Sequence, residues 1–499
     1  MRGSDLLVQS LVQAGVKHVF GMPGHTAMPI LDSISREPSI RFILAKHENT
    51  LVSMADGYAR VSLEPGVCVT HVGPSAANLL NGIGSAYRDS SPVIAITCNE
   101  VLSHLDRDPF NSWDQLTPFR SITKWSVQAK FAKDIPRIMR SALVRSRLGR
   151  RGPVQVDIPL DVATQEAGEI PASKQPNYGS YSSRARPDPD LALKIADLLL
   201  KSSRPLILAG AGVNWSEANA ELIRFAELTG LPVAVTSGGR GAFPETHPLF
   251  AGVPGRGGNR SASEALKASD FILALGSRLS DYTTLTWTLI DPAAAIAQVD
   301  IDPAEIARQY PVDIGVLADC RMFLRDVTEI VTPLLANSGA LPGSSRAKTL
   351  AGNLAAERKS RLEAGLDSVP IQARRVLKEI GEIVRRDAIV TVGAGRHTHL
   401  IGEQLAIHEP RSSVRPIGFG AMGFAFPLQK RQYGRNIGVD FTNTNFAKFA
   451  QGCGAAGFRV ERPDEIKPAL EGALKENRPC VIDVIVDDAE KTGYGVFSQ

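Results

Sequence analysis

The sequence predicts an α/β protein made of three successive domains, each built on a mostly parallel sheet. Three observations carry this. The chain has 499 residues, too many for one hydrophobic core. Short apolar runs alternate with helix-periodic segments along most of its length. Two polar stretches, residues 166–190 and 333–346, interrupt that alternation and divide it into blocks.

The first domain, residues 1–170, opens with helical periodicity over 4–14. A strand at 16–20 runs into Gly-Met-Pro-Gly at 21–24, and a second strand covers 40–45. Helical periodicity follows over 50–60, then strands at 66–72, at 93–98 and within 152–162. The second domain, residues 190–332, has strands at 205–209, 232–236, 271–275 and 296–301, the last stopped by Asp302 and Pro303. Residues 333–346 read as a loop and 345–362 as a helix. The third domain, residues 365–490, has strands at 388–392, 437–441 and 480–486.

Composition narrows the function classes. Hydrophobic residues make up 43% and charged residues 22%, which is ordinary for a soluble globular chain. A net charge of +4 with no basic stripe gives no footprint for nucleic acid. Five widely spaced cysteines suggest neither a disulfide framework nor a zinc site, and point to a reducing, cytoplasmic setting. No apolar run is long enough to span a membrane.

The glycine motifs are weak taken singly. Gly210-Ala211-Gly212 lacks the rest of a dinucleotide loop and reads as a tight strand-to-helix turn. Residues 418–423, Gly-Phe-Gly-Ala-Met-Gly, match the six-residue pattern without its strand–turn–helix context. Glu48 stands where an apolar strand ends and a helix begins. Two readings are open there: an acid favoured by the helix dipole, or a carboxylate at the ligand end of a parallel strand.

Several stretches agree in order with one family. They are GMPG at 21–24, KHENTLVSMADGYAR at 46–60, HVGPSAANLLNGIGSAYRDSSPVIAITCN at 71–99, ITKWSV at 122–127 and RRGPVQVDIPLDV at 150–162. GGRGAFPETHPLFAG at 238–252, GFGAMGFAFP at 418–427 and residues 443–470 join them. Together they resemble the thiamine-diphosphate enzymes of the acetolactate synthase, pyruvate oxidase and decarboxylase superfamily, acetolactate synthase above all.

The resemblance implies pyrimidine-binding, central and diphosphate-binding domains in that order. It implies thiamine diphosphate and Mg2+ as cofactors, and a homodimer or dimer of dimers whose active sites lie between subunits. Glu48 would hydrogen-bond N1′ of the cofactor's aminopyrimidine, a role suited to a carboxylate with a partly raised pKa. Pro23, Gly24 and Asn78 would line that ring. The Gly420 carbonyl, Ala421 and Met422 would hold its other side, with Met422 wedged beneath the two rings. Gly393, Ala394, Gly395, Arg396 and His397 would face the diphosphate. Residues 276–284 resemble a segment that contacts FAD in flavin-bearing members, but FAD is not expected here, because neither decarboxylation nor carboligation needs a net redox step.

On the substrate side, His25, His71 and Gln115 are candidate catalytic residues. Neutral imidazole shuttles protons near pH 7. The Gln115 amide can donate to a carbonyl and accept from a hydroxyl, or simply brace its loop. Asn111 stands where many relatives carry Gln, and Asp114 precedes Gln115. Carboligation of a 2-oxo acid is the leading activity. A lyase or decarboxylase acting on an acyloin, a cyclic diketone or a 2-hydroxyacyl thioester is the alternative those histidines suggest. A noncatalytic remnant is the third reading.

The third reading arises from one junction. Family members carry a further segment near Gln429–Lys430, with Gly-Asp-Gly and an Asn-Asn pair that bind the metal. Neither motif occurs in this sequence. The family order resumes directly afterwards, so the expectation is an additional segment of the polypeptide at that junction, and the metal ligands stay unknown.

Overall fold

The computed structural model describes residues 1–167, 184–338, 344–363, 366–393, 395–414, 429, 432–435, 437–438 and 444–487. The chain forms two compact units, residues 1–183 with 416–418, and residues 184–415 with 419–499.

The first unit is a six-stranded parallel sheet. Its strands are β1 His18–Gly21, β2 Arg41–Leu44, β3 Gly66–Thr70, β4 Val93–Asn99, β5 Trp125–Gln128 and β6 Val154–Pro159, in the order β2-β1-β3-β4-β6-β5. Strands β3, β4 and β6 are buried along their whole length. Both faces are covered by helices, so these strands read as continuous apolar runs without alternation. Leu6, Leu7 and Leu11 of the helix Gly3–Gln13 pack one face, with Ile138, Met139 and Leu143 of Ile135–Arg147. Leu51, Val52 and Ala55 of the helix Glu48–Ser62 pack the other, with Leu79, Ile83 and Phe119. The expected strands fall in place within a few residues. The edge strand β5, Trp-Ser-Val-Gln, is half-buried and mixed in character, and its apolar signal is too short to stand out.

The second unit carries another parallel sheet. Its strands are β7 Pro205–Ala209, β8 Val233–Val235, β9 Phe250–Gly252, β10 Phe271–Leu275, β11 Ala295–Asp300 and β12 Ile314–Leu317, in the order β12-β11-β10-β7-β8-β9. The turn after β7 is tight, as expected. A Cβ on Gly210 would lie 2.2 Å from the Gly276 carbonyl oxygen.

One expectation fails here. Residues 333–338 are not a loop: the helix Cys320–Ser338 contains Pro333. Proline removes one ladder hydrogen bond from a helix. Buried Phe323, Leu324, Val327 and Val331 anchor this helix in the core, and packing outweighs that loss. The helix Ser344–Glu363 is where its helix-forming composition put it.

The third-domain strands among the described residues form two separate parallel pairs. One is β13 Val390–Thr391 with β14 Ser413–Val414, and the other is β15 Ala456–Val460 with β16 Cys480–Val484. Of the strand expected at 437–441, residues 437 and 438 carry no strand and the rest lie outside the described residues. The Gln429–Lys430 junction also lies outside them, because Lys430 does.

Candidate active site at the end of the first sheet

The first sheet reverses its winding between β1 and β3. From β1 the chain moves outward to β2, then crosses back over β1 to β3. Open parallel sheets place ligands at the carboxyl ends of strands beside such a reversal. The segments leaving these ends are 22–25 after β1, 45–48 after β2 and 71–78 after β3. They hold Pro23, Gly24, His25, Glu48, His71 and Asn78.

Glu48 is the first residue of the helix Glu48–Ser62. His47 precedes it as the cap, with Nδ1 accepting from the Asn49 backbone amide at 3.1 Å. Ser75 Oγ donates to Glu48 Oε1 at 2.7 Å, and Asn78 Nδ2 donates to Oε2 at 2.9 Å. The Ser75 hydroxyl is also hydrogen-bonded to that of Thr70, at the end of β3. Burial alone would raise the Glu48 pKa. The hydrogen bonds from Ser75 and Asn78, with a helix amide and nearby His47, outweigh it and hold the carboxyl below the usual glutamate range. A raised pKa was expected. The correction has a plain cause, since donors aimed at a carboxylate favour its charged form.

Two glycines let these segments close on one another. A Cβ on Gly24 would meet the His71 ring at 2.4 Å. Gly73 has φ +67°, and a Cβ there would lie 1.7 Å from the Asn111 carbonyl oxygen. Side chains rarely adopt that backbone conformation, so both geometry and space call for glycine.

The two candidate histidines meet. Their rings are edge to face with centroids 4.8 Å apart. His25 Nε2 lies 2.8 Å from Glu100 Oε1, and His71 Nδ1 shares a hydrogen bond of 2.9 Å with the Thr26 hydroxyl. Burial and the neighbouring His25 push the His71 pKa down, against the opposing pull of Glu100 and Glu48. Neutral imidazole is therefore its form near neutral pH.

Gln115 is not where a substrate contact requires it. Its side chain is buried and its amide is fully engaged. Oε1 accepts from the Gly73 amide at 2.7 Å, while Nε2 donates to the Cys98 carbonyl at 3.0 Å and to Asp157 Oδ1 at 2.9 Å. Those bonds use both amide protons and turn the oxygen to the backbone. Asp114 accepts from the Leu116 and Thr117 amides at 3.0 and 3.2 Å, and so caps the helix Leu116–Arg120. Asp157 was missed in the sequence. Its signal was an acid in the middle of an otherwise buried strand.

In the second unit, Gly393 and Gly395 lie between β13 and the helix Arg396–Gln404. Thr398 Oγ1 donates to the Gly393 carbonyl at 2.7 Å and accepts from the Gly395 amide at 2.9 Å. His397 is exposed one turn away, with Nε2 3.7 Å from the position of a Cβ on Gly393. Ala394, Gly420, Ala421, Met422 and the Arg396 side chain lie outside the described residues.

Three segments match family models described as the N-terminal thiamine pyrophosphate binding domain over 1–117, the central domain over 193–327, and the C-terminal thiamine pyrophosphate binding domain over 428–484. A probable acetolactate synthase large subunit of Methanocaldococcus jannaschii is 32% identical, covering 98% of this chain and 93% of its own. The chain belongs to the thiamine pyrophosphate enzyme family. An acetolactate synthase large subunit of Lactococcus lactis is 33% identical over 85% of this chain and 72% of its own. Acetolactate synthase 1 of Nicotiana tabacum is 29% identical over 98% and 82%. These domains and relatives make the protein a thiamine-pyrophosphate-dependent enzyme of acetolactate-synthase type.

The archaeal alignment runs over 558 positions against a chain of 499 residues, so dozens of the relative's residues have no partner here. The two ends of the cofactor find different support. Glu48, with its carboxylate held in place beside an exposed Asn78, suits the donor set of an aminopyrimidine. For the metal, no group of three or more His, Cys, Asp or Glu residues able to hold an ion occurs among the described residues.

Proposed function

We propose that the protein joins a 2-oxo acid to a second carbonyl compound with loss of carbon dioxide, in the manner of acetolactate synthase. The observation that carries this is the Glu48 carboxylate, fixed by Ser75 and Asn78 at the switch point of a sheet that matches the family's cofactor-binding domain. Thiamine diphosphate, when bound, supplies the carbon nucleophile.

The chain's own residues do the rest. Glu48, kept charged, accepts the hydrogen bond of a protonated ring nitrogen and holds that ring in one orientation. Pro23 and Gly24 form the wall of the ring site beside His71. Neutral His71, its Nδ1 tied to Thr26, offers Nε2 to hold or move a proton at the substrate's oxygen. Glu100 orients His25 against it. Holding both carbonyl partners in this site lowers the entropic part of the barrier.

Gly393, Gly395 and His397 are the diphosphate-facing group in this reading, with Ala394, Arg396, Gly420, Ala421 and Met422 carried by resemblance alone. Magnesium accompanies the diphosphate in the family. The described residues do not supply its ligands, and no step here depends on it. The active unit is a homodimer or dimer of dimers. Exposed Met28 and Leu44, 62% and 61% accessible on segments next to the site, support that reading. Five free cysteines support a cytoplasmic setting.

The test is product analysis after incubation with pyruvate, thiamine diphosphate and Mg2+. Acetolactate is expected. Acetaldehyde alone would leave decarboxylation without carboligation.

A further inference from the structure

We propose that Gln115 and Asp157 are positioning residues that fix the turn at Gly73 and, through it, the two donors on Glu48. The assignment rests on the functional reading only for what Glu48 does.

Asp157 lies in β6 and is fully buried. Four neutral donors converge on its carboxylate. Thr97 Oγ1 is at 2.7 Å, Asn99 Nδ2 at 3.0 Å, Gln128 Nε2 at 2.7 Å and Gln115 Nε2 at 2.9 Å. Thr97 Oγ1 also accepts from Gln155 Nε2 at 3.0 Å, which leaves its own proton for Asp157. Burial holds the Asp157 carboxyl above the usual aspartate range, against the pull of these four donors. A carboxyl surrounded by donors still has no acceptor for a proton of its own, so this geometry selects the anion at neutral pH.

That anion decides which way the Gln115 amide faces. The other partner of Nε2 is the Cys98 carbonyl, which also only accepts. With two acceptors on one side, the amide nitrogen must point there and the oxygen must point to the Gly73 amide. Gly73 is buried and left-handed, and its N–H would otherwise go unpaired. Two residues on is Ser75, and five on is Asn78, the two donors to Glu48. A side chain buried under the site thus sets the loop that sets the carboxylate.

Gln115→Glu in the full, cofactor-free chain separates this from simple space filling. It keeps the shape but turns a donor into a second carboxylate facing Asp157. At neutral pH the repulsion is expected to lower amide-exchange protection at Gly73 by about tenfold or more. Thiamine diphosphate affinity, measured by calorimetry, is expected to fall about tenfold with it. On acidification the two carboxyls share one proton and the Gly73 hydrogen bond returns, so protection recovers toward wild type. Protection equal to wild type at every pH would overturn the proposal.

Should Gln115→Glu not fold, Gln128→Ala takes one donor from Asp157 and leaves Gln115 in place. A smaller loss of protection at Gly73 is then expected, and no change there would overturn the coupling. Exchange at Gly73 needs no turnover. A protein that forms no acetolactate but shows these changes keeps this inference and loses the functional one, and the reverse result does the opposite.

Discussion

The two ends of this chain hold the residues proposed to face the cofactor differently. In the first domain Glu48 stands at the end of a six-stranded parallel sheet whose inner strands are buried throughout. Its carboxylate has two side-chain donors, and beneath them runs a closed hydrogen-bond line through Gly73, Gln115 and Asp157. In the third domain the described strands are two pairs, one of them two residues per strand. There, among the described residues, Gly393 and Gly395 are tied by one residue, Thr398, through its hydroxyl and its backbone amide. The comparison teaches that rigidity comes from redundant partners. A group held from several sides keeps its geometry when one contact is lost, and a group held from one side does not.

Glu48→Gln should have the largest effect. It keeps size and the Asn78 neighbourhood but removes the charge, and kcat is expected to fall about 10²–10⁴-fold with the fold intact by circular dichroism. Activity within threefold of wild type would remove Glu48 from the chemistry and erase the contrast between the two domains.

Gly73→Ala comes next. It places a Cβ on the Asn111 carbonyl and forces a side chain into a left-handed conformation. A loss of about 1–3 kcal/mol in chemical denaturation is expected, together with weaker thiamine diphosphate binding. The matching change in the other domain, Gly393→Ala, has room for its Cβ among the described residues, where His397 is near at 3.7 Å. It should cost under about 0.5 kcal/mol. Equal costs would break the comparison.

Removing single donors should have a moderate effect. Ser75→Ala and Asn78→Ala each take a hydrogen bond from the charged form of Glu48, so the Glu48 pKa rises in both variants. The acid limb of the kcat/KM profile should move to higher pH, and neither variant alone should abolish activity. The wild-type carboxyl is held below its unfolded value. Its contribution to stability is therefore present above the unfolded pKa and lost as pH falls through the folded one. Both variants should flatten stability against pH in that acid window.

The smallest effect is that of His71. Its folded pKa lies below the unfolded one, so the unfolded chain takes up its proton first as pH falls. Between those two values acidification costs the wild type stability. His71→Gln should lose less over the same window in denaturation measurements, and an identical slope would contradict a neutral, half-buried imidazole.

Much of this was legible in the sequence, for physical reasons. Strands such as 205–209 and 271–275 are buried on both faces, so continuous apolar runs marked them to the residue. The helix at 344–363 announced itself by its helix-forming composition. Glu48 was visible because a carboxylate between strand and helix is a local feature. What sequence could not show were relations across the chain. Gln115 stayed open between a substrate contact and a loop brace because its partners, Gly73, Cys98 and Asp157, are 42, 17 and 42 positions away. The lowered pKa of Glu48 depends on Ser75 and Asn78, which only the β2–β3 crossover brings beside it. Residues 333–346 read as a loop, and only the packed core around Val331 explains the place of Pro333 inside a helix.

The third domain is where the family resemblance places a further segment. The intact mass of the purified protein, set against that of these 499 residues, tests the segment expected at Gln429–Lys430. A mass several kilodaltons greater would restore the absent segment and narrow the contrast between the two domains.

The central claim is that the charged Glu48 prepares the cofactor. Hydrogen–deuterium exchange at the reactive carbon of thiamine diphosphate tests it most directly, measured by quenched-flow NMR on wild type and Glu48→Gln without substrate. Exchange in the wild type orders of magnitude faster than in free cofactor, falling to the free rate in the variant, is the expected result. Wild-type exchange no faster than that of the free cofactor, or equal acceleration in both proteins, would contradict the account.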